Sequence, residues 1–214
     1  MKKTVISNGE NWVKTIFAGD STGHDWYHTD RVRKNAVHIA QKEGGDIFIC
    51  EMAALLHDAA DEKFNESEAS GLEKVSSWLD SQEITSEEKE TVLEVIRTVS
   101  YKGGNNQDPV SIEGKIVQDA DRLDALGAVG IARTFMYAGA KGDPMHLPEE
   151  RPREQMTKEE YRQGRSTAVN HFYEKLLKLK DLMKTETGRE LAEERHEYLK
   201  AFLHQFKEEW AGNR

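Results

Sequence analysis

Helical punctuation constrains this chain more than any other feature. Apolar residues recur at helical spacing between caps and glycines, and no segment of the 214 residues alternates long enough to demand a strand. The expected fold is all-α. Ser7 is placed to cap a segment running through Trp12, Val13, Ile16 and Phe17, with Gly19 ending it. A second helix is expected from about Thr22 to Glu43, stopping at Gly44 and Gly45. The third, from Asp46 to about His57, carries IFICEMAALL and reads as buried. A helix from Asn65 to Asp80 opens on NESE, a cap residue with an acid three positions on. Thr85 and Glu88 form a capping box for the helix that carries Val92, Val95, Ile96 and Val99.

The YKGGNNQDP stretch then reads as a turn-rich loop, and Ser111 opens a long helix through about Tyr137. The segment from Gly139 to Gln155 holds three of the four prolines and is the longest irregular stretch. Two more helices are expected beyond it, with capping boxes at Thr157 with Glu160 and at Thr187 with Glu190.

Charge and cysteine usage narrow the function classes. A formal charge of -9 argues against a broad nucleic-acid face, which needs clustered Lys and Arg. It leaves room for a small basic pocket around one phosphorylated molecule. The single cysteine, Cys50, has no internal disulfide partner, which fits a reducing compartment. No apolar run approaches the roughly 18 to 20 residues of a membrane span, and the start MKKTVISNGENW lacks the apolar region of a signal peptide. A cytoplasmic protein with no membrane and no nucleic-acid partner is expected.

The eight histidines are not equivalent. His24 and His28 stand four apart on one expected helix face, which Arg31 extends by a turn. His57 and Asp58 end the most apolar helix, and Asp61 and Glu62 follow. The next histidine is His146; before it comes QDADRLDALGA, an acidic cluster inside an otherwise apolar helix. Burying carboxylates without partners costs several kcal/mol or more, in order of magnitude. Such groups drawn from separate helices become tolerable when they share a divalent cation. Mixed imidazole and carboxylate ligation suits Mn, Fe, Co, Ni or Zn without selecting one.

A histidine, then an adjacent His-Asp pair, then a distant Asp within ADRL resembles the HD-domain superfamily of metal-dependent phosphohydrolases. The segments HDWYHTDRV, LLHDAADEK, KIVQDADRLDALGAVGIAR and RQGRSTAVNHFYEKLLKLKDLM look like the small stand-alone bacterial members, so the resemblance covers most of the chain. It implies a single HD-type helical domain over 1–214, with a metal-binding core to about residue 140 and C-terminal helices from about residue 156 packing on it. It also implies His28, His57, Asp58 and Asp121 as metal ligands. Asp119 is near, but two residues along a helix turn the side chain by roughly 200°, so only one of the two faces inward. The match of ADRL to the family segment favours Asp121. Asp124, one turn on, is placed to orient a ligand or a water from the shell around the metal.

The binuclear members carry extra histidines between the HD pair and the last Asp. This interval has none, so one divalent transition metal is expected, with Mn favoured and Co, Ni, Fe, Zn or Mg as alternatives. The family places an acid just after the HD pair to manage water or the leaving group; here Asp61 and Glu62 match, as the catalytic residues. Substrate contacts are expected from His24, Arg31 and Lys63, and from Tyr101 and Lys102 in the loop before the last metal motif. The segment from Arg162 to Ser166 is a further candidate. Guanidinium groups bind two phosphate oxygens at once.

The substrate expected is a small phosphorylated molecule, a nucleotide. The favoured activity is nucleoside or deoxynucleoside triphosphate pyrophosphohydrolysis, giving monophosphate and pyrophosphate. The alternatives are a 5'-nucleotidase acting on monophosphates and a non-catalytic nucleotide-sensing module. An oxygenase on the same fold ranks last, because a two-iron site calls for more histidines. His38, His146, His196 and His204 lack motif context and read as packing or surface residues. His171 matches the family segment without an assigned role. Trp78, Phe172, Tyr173 and Trp210 read as core or helix-packing residues and not as a base-stacking platform.

Overall fold

The computed structural model describes residues 1–19, 25–62, 64–99, 108–153 and 166–214. The described residues are helical with no strand, as the sequence pattern requires. They divide into two compact units, Met1–Asp121 and Arg122–Arg214.

In the first unit, α1 spans Lys2–Ile16, α2 Trp26–Glu43 and α3 Ile47–Leu56. A 3-10 turn, His57–Ala60, continues α3; α4 then spans Glu68–Asp80 and α5 Ser86–Val99. α6 covers Ile112–Asp124, so its last turn belongs to the second unit. The centre is α3, on which α1, α2 and α5 pack. Its Met52, Ala53, Ala54, Leu55 and Leu56 are fully buried, and each large side chain contributes about 1.5–3 kcal/mol relative to exposure. Asp46 caps α3 by accepting from the Phe48 and Ile49 amides. Beside α1, Trp78 stacks on Trp12 with centroids 5.0 Å apart.

Several expected boundaries move, each for a local reason. α1 begins at Lys2, and Ser7 is an exposed residue inside it, because Val5 and Ile6 extend the buried face upstream. α2 begins at Trp26, where Asp25 caps it by accepting from the His28 amide at 2.9 Å; Thr22, its expected start, lies outside the described residues. α4 begins at Glu68: Ser67 and Ser70 form the capping box, and Asn65 is not the cap. The Thr85–Glu88 box forms as expected, with both reciprocal hydrogen bonds present. Ser111 accepts from the Gly114 amide.

The expected long helix from Ser111 to Tyr137 is two helices, α6 and α7, the latter spanning Gly127–Lys141. Gly127 has φ +68 and Gly130 sits on the Ala125 carbonyl with no room for a Cβ. That conformation is open to glycine and costly for other residues. In the second unit α8 spans Ala168–Glu174, a 3-10 segment runs Leu176–Leu182, and α9 spans Glu186–Trp210. α9 packs on α7 and on the 3-10 segment. Thr185 caps α9 by accepting from Gly188, so the expected Thr187–Glu190 box is displaced; Thr187 is buried instead. The Thr157–Glu160 box and most of the YKGGNNQDP loop lie outside the described residues.

Candidate metal centre

Three elements of the first unit bring the cluster together. The first turn of α2 supplies His28, whose backbone is fixed by the Asp25 cap. The 3-10 turn at the end of α3 supplies His57 and Asp58, and α6 supplies Asp121. His28 Nε2 lies 3.3 Å from Asp58 Oδ2 and 3.5 Å from Asp121 Oδ1. His57 Nε2 lies 3.4 Å from Asp58 Oδ1 and 3.8 Å from Asp121 Oδ1. The two imidazoles meet edge to face with centroids 5.5 Å apart. Both histidines are buried, while the two carboxylates are half-buried and reach solvent.

The donor set fits a cation. His57 Nδ1 lies 2.7 Å from the Ala54 carbonyl oxygen. That oxygen only accepts, so Nδ1 carries the proton and Nε2 presents its lone pair to the cluster. His57 Nε2 is buried and has no hydrogen-bond partner among the described residues. Donor atoms held at about 2.1 Å from one ion stand about 3.0–3.4 Å apart, close to the spacings seen here. His28, His57 and Asp58 alone place their donor atoms within 4.8 Å of one another.

The residues that follow the HD pair are held by the backbone of the turn and by Asn65. Asp61 ends the 3-10 turn in an extended conformation, its amide donating to the Asp58 carbonyl at 3.0 Å. Asp61 is half-buried and Glu62 exposed. Asn65 donates both amide hydrogens to this turn, to the carbonyls of Ala59 and Asp61, each at 2.9 Å. Sequence reasoning read Asn65 as a helix cap; the signal that it serves the turn was its place four residues after Asp61.

Arg31 lies half-buried on α2, one turn beyond His28. The Asp124 carboxylate, at the end of α6, accepts from Arg133 of α7 at 2.7 Å. Sequence reasoning had no signal for that partner because it ran the two helices together. His24, Lys63, Tyr101, Lys102 and the 162–165 part of the RQGRS segment lie outside the described residues.

Comparison with known proteins gives four consistent findings. Residues 25–126 match the model of the HD domain. The Bacillus subtilis protein YpgQ is 42% identical over 203 residues, covering 94% of this chain and 91% of its own length. Its crystal structure in complex with ADP aligns with a TM-score of 0.77 at 40% identity, covering 95% of this chain and 97% of that one. The crystal structure of a HD-superfamily hydrolase from Bacillus thuringiensis aligns with a TM-score of 0.79 at 49% identity, over 99% of each chain.

Proposed function

The chain belongs to the HD superfamily of hydrolases, and from that premise we propose that it is a metal-dependent nucleotide phosphohydrolase. The convergence of His28, His57, Asp58 and Asp121 carries the reading, with the His57 Nε2 lone pair held toward two carboxylates. These four would hold one divalent transition ion, Mn favoured. Such an ion, when bound, polarises a phosphoryl oxygen and lowers the pKa of water.

The chain's own residues supply the rest. Asp61, three residues past Asp58, is the acid or base that moves the proton of the attacking water, with Glu62 beside it. Arg31, one helical turn beyond His28, binds a phosphate oxygen. His24, Lys63, Tyr101 and Lys102 are further substrate contacts in this reading. Asp124 steadies its end of α6. Water attacks the α-phosphorus of a nucleoside triphosphate and the bond from that phosphorus to the bridging oxygen breaks. The products are the nucleoside monophosphate and pyrophosphate. Support for a nucleotide comes from the relative YpgQ, whose crystal structure contains ADP.

The test is a purified protein stripped of metal, resupplied singly with Mn, Co, Ni, Mg or Zn, and given a nucleotide panel. Pyrophosphate and phosphate are measured separately on the same samples. Pyrophosphate from triphosphates is the expected result. Phosphate from monophosphates would replace this reading with a 5'-nucleotidase. Metal and nucleotide binding with no release under any metal would replace it with a nucleotide sensor.

A further inference from the structure

The turn after the HD pair is clamped from outside by one side chain. Asn65 spends both hydrogens of its amide nitrogen on backbone carbonyls, those of Ala59 and Asp61. The Asp61 carbonyl also accepts from the Phe64 amide at 3.0 Å, and the Asp61 amide donates to the Asp58 carbonyl. The Asp61 backbone is therefore fixed on both sides, by Asp58 before it and by Phe64 and Asn65 after it. Phe64 is itself seated, edge to face against Phe17 at the C-terminal cap of α1, with centroids 4.9 Å apart. α4 closes over the turn between the two clamped carbonyls, because a Cβ at Gly71 would collide with the Ala60 carbonyl oxygen and the Asn65 amide.

We propose that Asn65 is a positioning residue of the reaction: by clamping the Ala59 and Asp61 carbonyls it sets where the Asp61 carboxyl stands relative to the His28–His57–Asp58–Asp121 cluster. The inference rests on the reading of Asp61 as the acid or base. Only an amide of this length does the task, because two N–H groups must leave one nitrogen toward two acceptors. Aspartate has the same shape and no hydrogen to give, and its charge would face two carbonyl oxygens. Small displacements of a catalytic group are costly, since proton transfer depends on hydrogen-bond reach.

The test uses Asn65→Asp, Asn65→Ala, Asp61→Asn and the double variant Asp61→Asn/Asn65→Asp in the full chain. Two readouts are taken: steady-state turnover of dATP with Mn, and hydrogen exchange at the Asp61 and Phe64 amides. With Asn65→Asp the expected loss is about tenfold to a hundredfold in kcat, with little change in KM. Mn stoichiometry stays unchanged, and exchange at both amides is faster. In the Asp61→Asn background the Asn65 change costs nothing further, because it acts through Asp61. Additive losses, or wild-type exchange in Asn65→Asp, would overturn the inference; Asn65→Ala repeats the comparison without the added charge. A wild type that does not turn over dATP counts against the proposed function, and the exchange readout then decides Asn65 alone.

Discussion

Asp124 carries a carboxylate that is only 2% exposed, so its fate depends on what faces it. Arg133 donates to it at 2.7 Å, and Arg195, whose guanidinium bonds the Leu123 carbonyl at 2.6 Å, adds positive charge nearby. Removing one partner from such a pair strands a buried charge, which costs about 3–5 kcal/mol. Arg133 is itself partly exposed and water offsets some of that cost. Arg133→Ala is expected to lower unfolding stability by roughly 2–3 kcal/mol. Asp124→Asn, which keeps the shape and removes the charge, is expected to cost less. Denaturant melts of both variants check the order; equal stability to wild type in Arg133→Ala would show that the pair holds nothing. Sequence reasoning found Asp124 on the acidic face of α6, one turn from Asp121, and had no way to see Arg133 across the helix break.

At the scale of elements, legibility followed how local the deciding chemistry was. The Thr85–Glu88 box was readable because both halves of its reciprocal bonding lie within four residues. The buried character of α3 was readable from its composition, since IFICEMAALL offers no polar face. The start of α4 was misread because Ser70 uses a hydroxyl where the usual box has an acid, while NESE upstream looked like a better cap. The break between α6 and α7 turns on Gly127 at φ +68 and on the fit of Gly130 against the Ala125 carbonyl. A glycine in a helical run signals either a tolerated residue or a break, and only tertiary packing separates the two. The cluster itself was legible as a set of residues because its order and flanks match a family. Its geometry was not: the change from α-helix to 3-10 turn at His57, which orients the HD pair, has no sequence signature.

At the scale of the molecule, the second unit, Arg122–Arg214, carries a response to acid in its buried titratable groups. There, burial first and Lys175 next push the His171 imidazole down to about 4. Glu174, three residues on, is buried, which by itself raises its carboxyl; Arg153 outweighs this with bonds at 2.8 and 3.0 Å and holds it below its ordinary value. Both shifts are downward, so the stability they contribute is present above the unfolded-state pKa and is lost as pH falls toward the folded one. For His171 that window runs from about pH 6.5 down to about 4. Between pH 7 and 5 the loss from His171 is about 1–2 kcal/mol. His171→Gln is expected to flatten that part of the profile in urea melts, and an unchanged slope would exclude the histidine as its source. In the first unit, His28, His57, Asp58 and Asp121 are proposed to form one metal site on which hydrolysis depends. Its most direct test is metal stoichiometry and nucleotide turnover measured on the same samples of wild type and Asp58→Ala. About one Mn per wild-type chain is expected, and in the variant a loss of both metal and turnover with the helical circular dichroism retained. Turnover that survives in Asp58→Ala would contradict it.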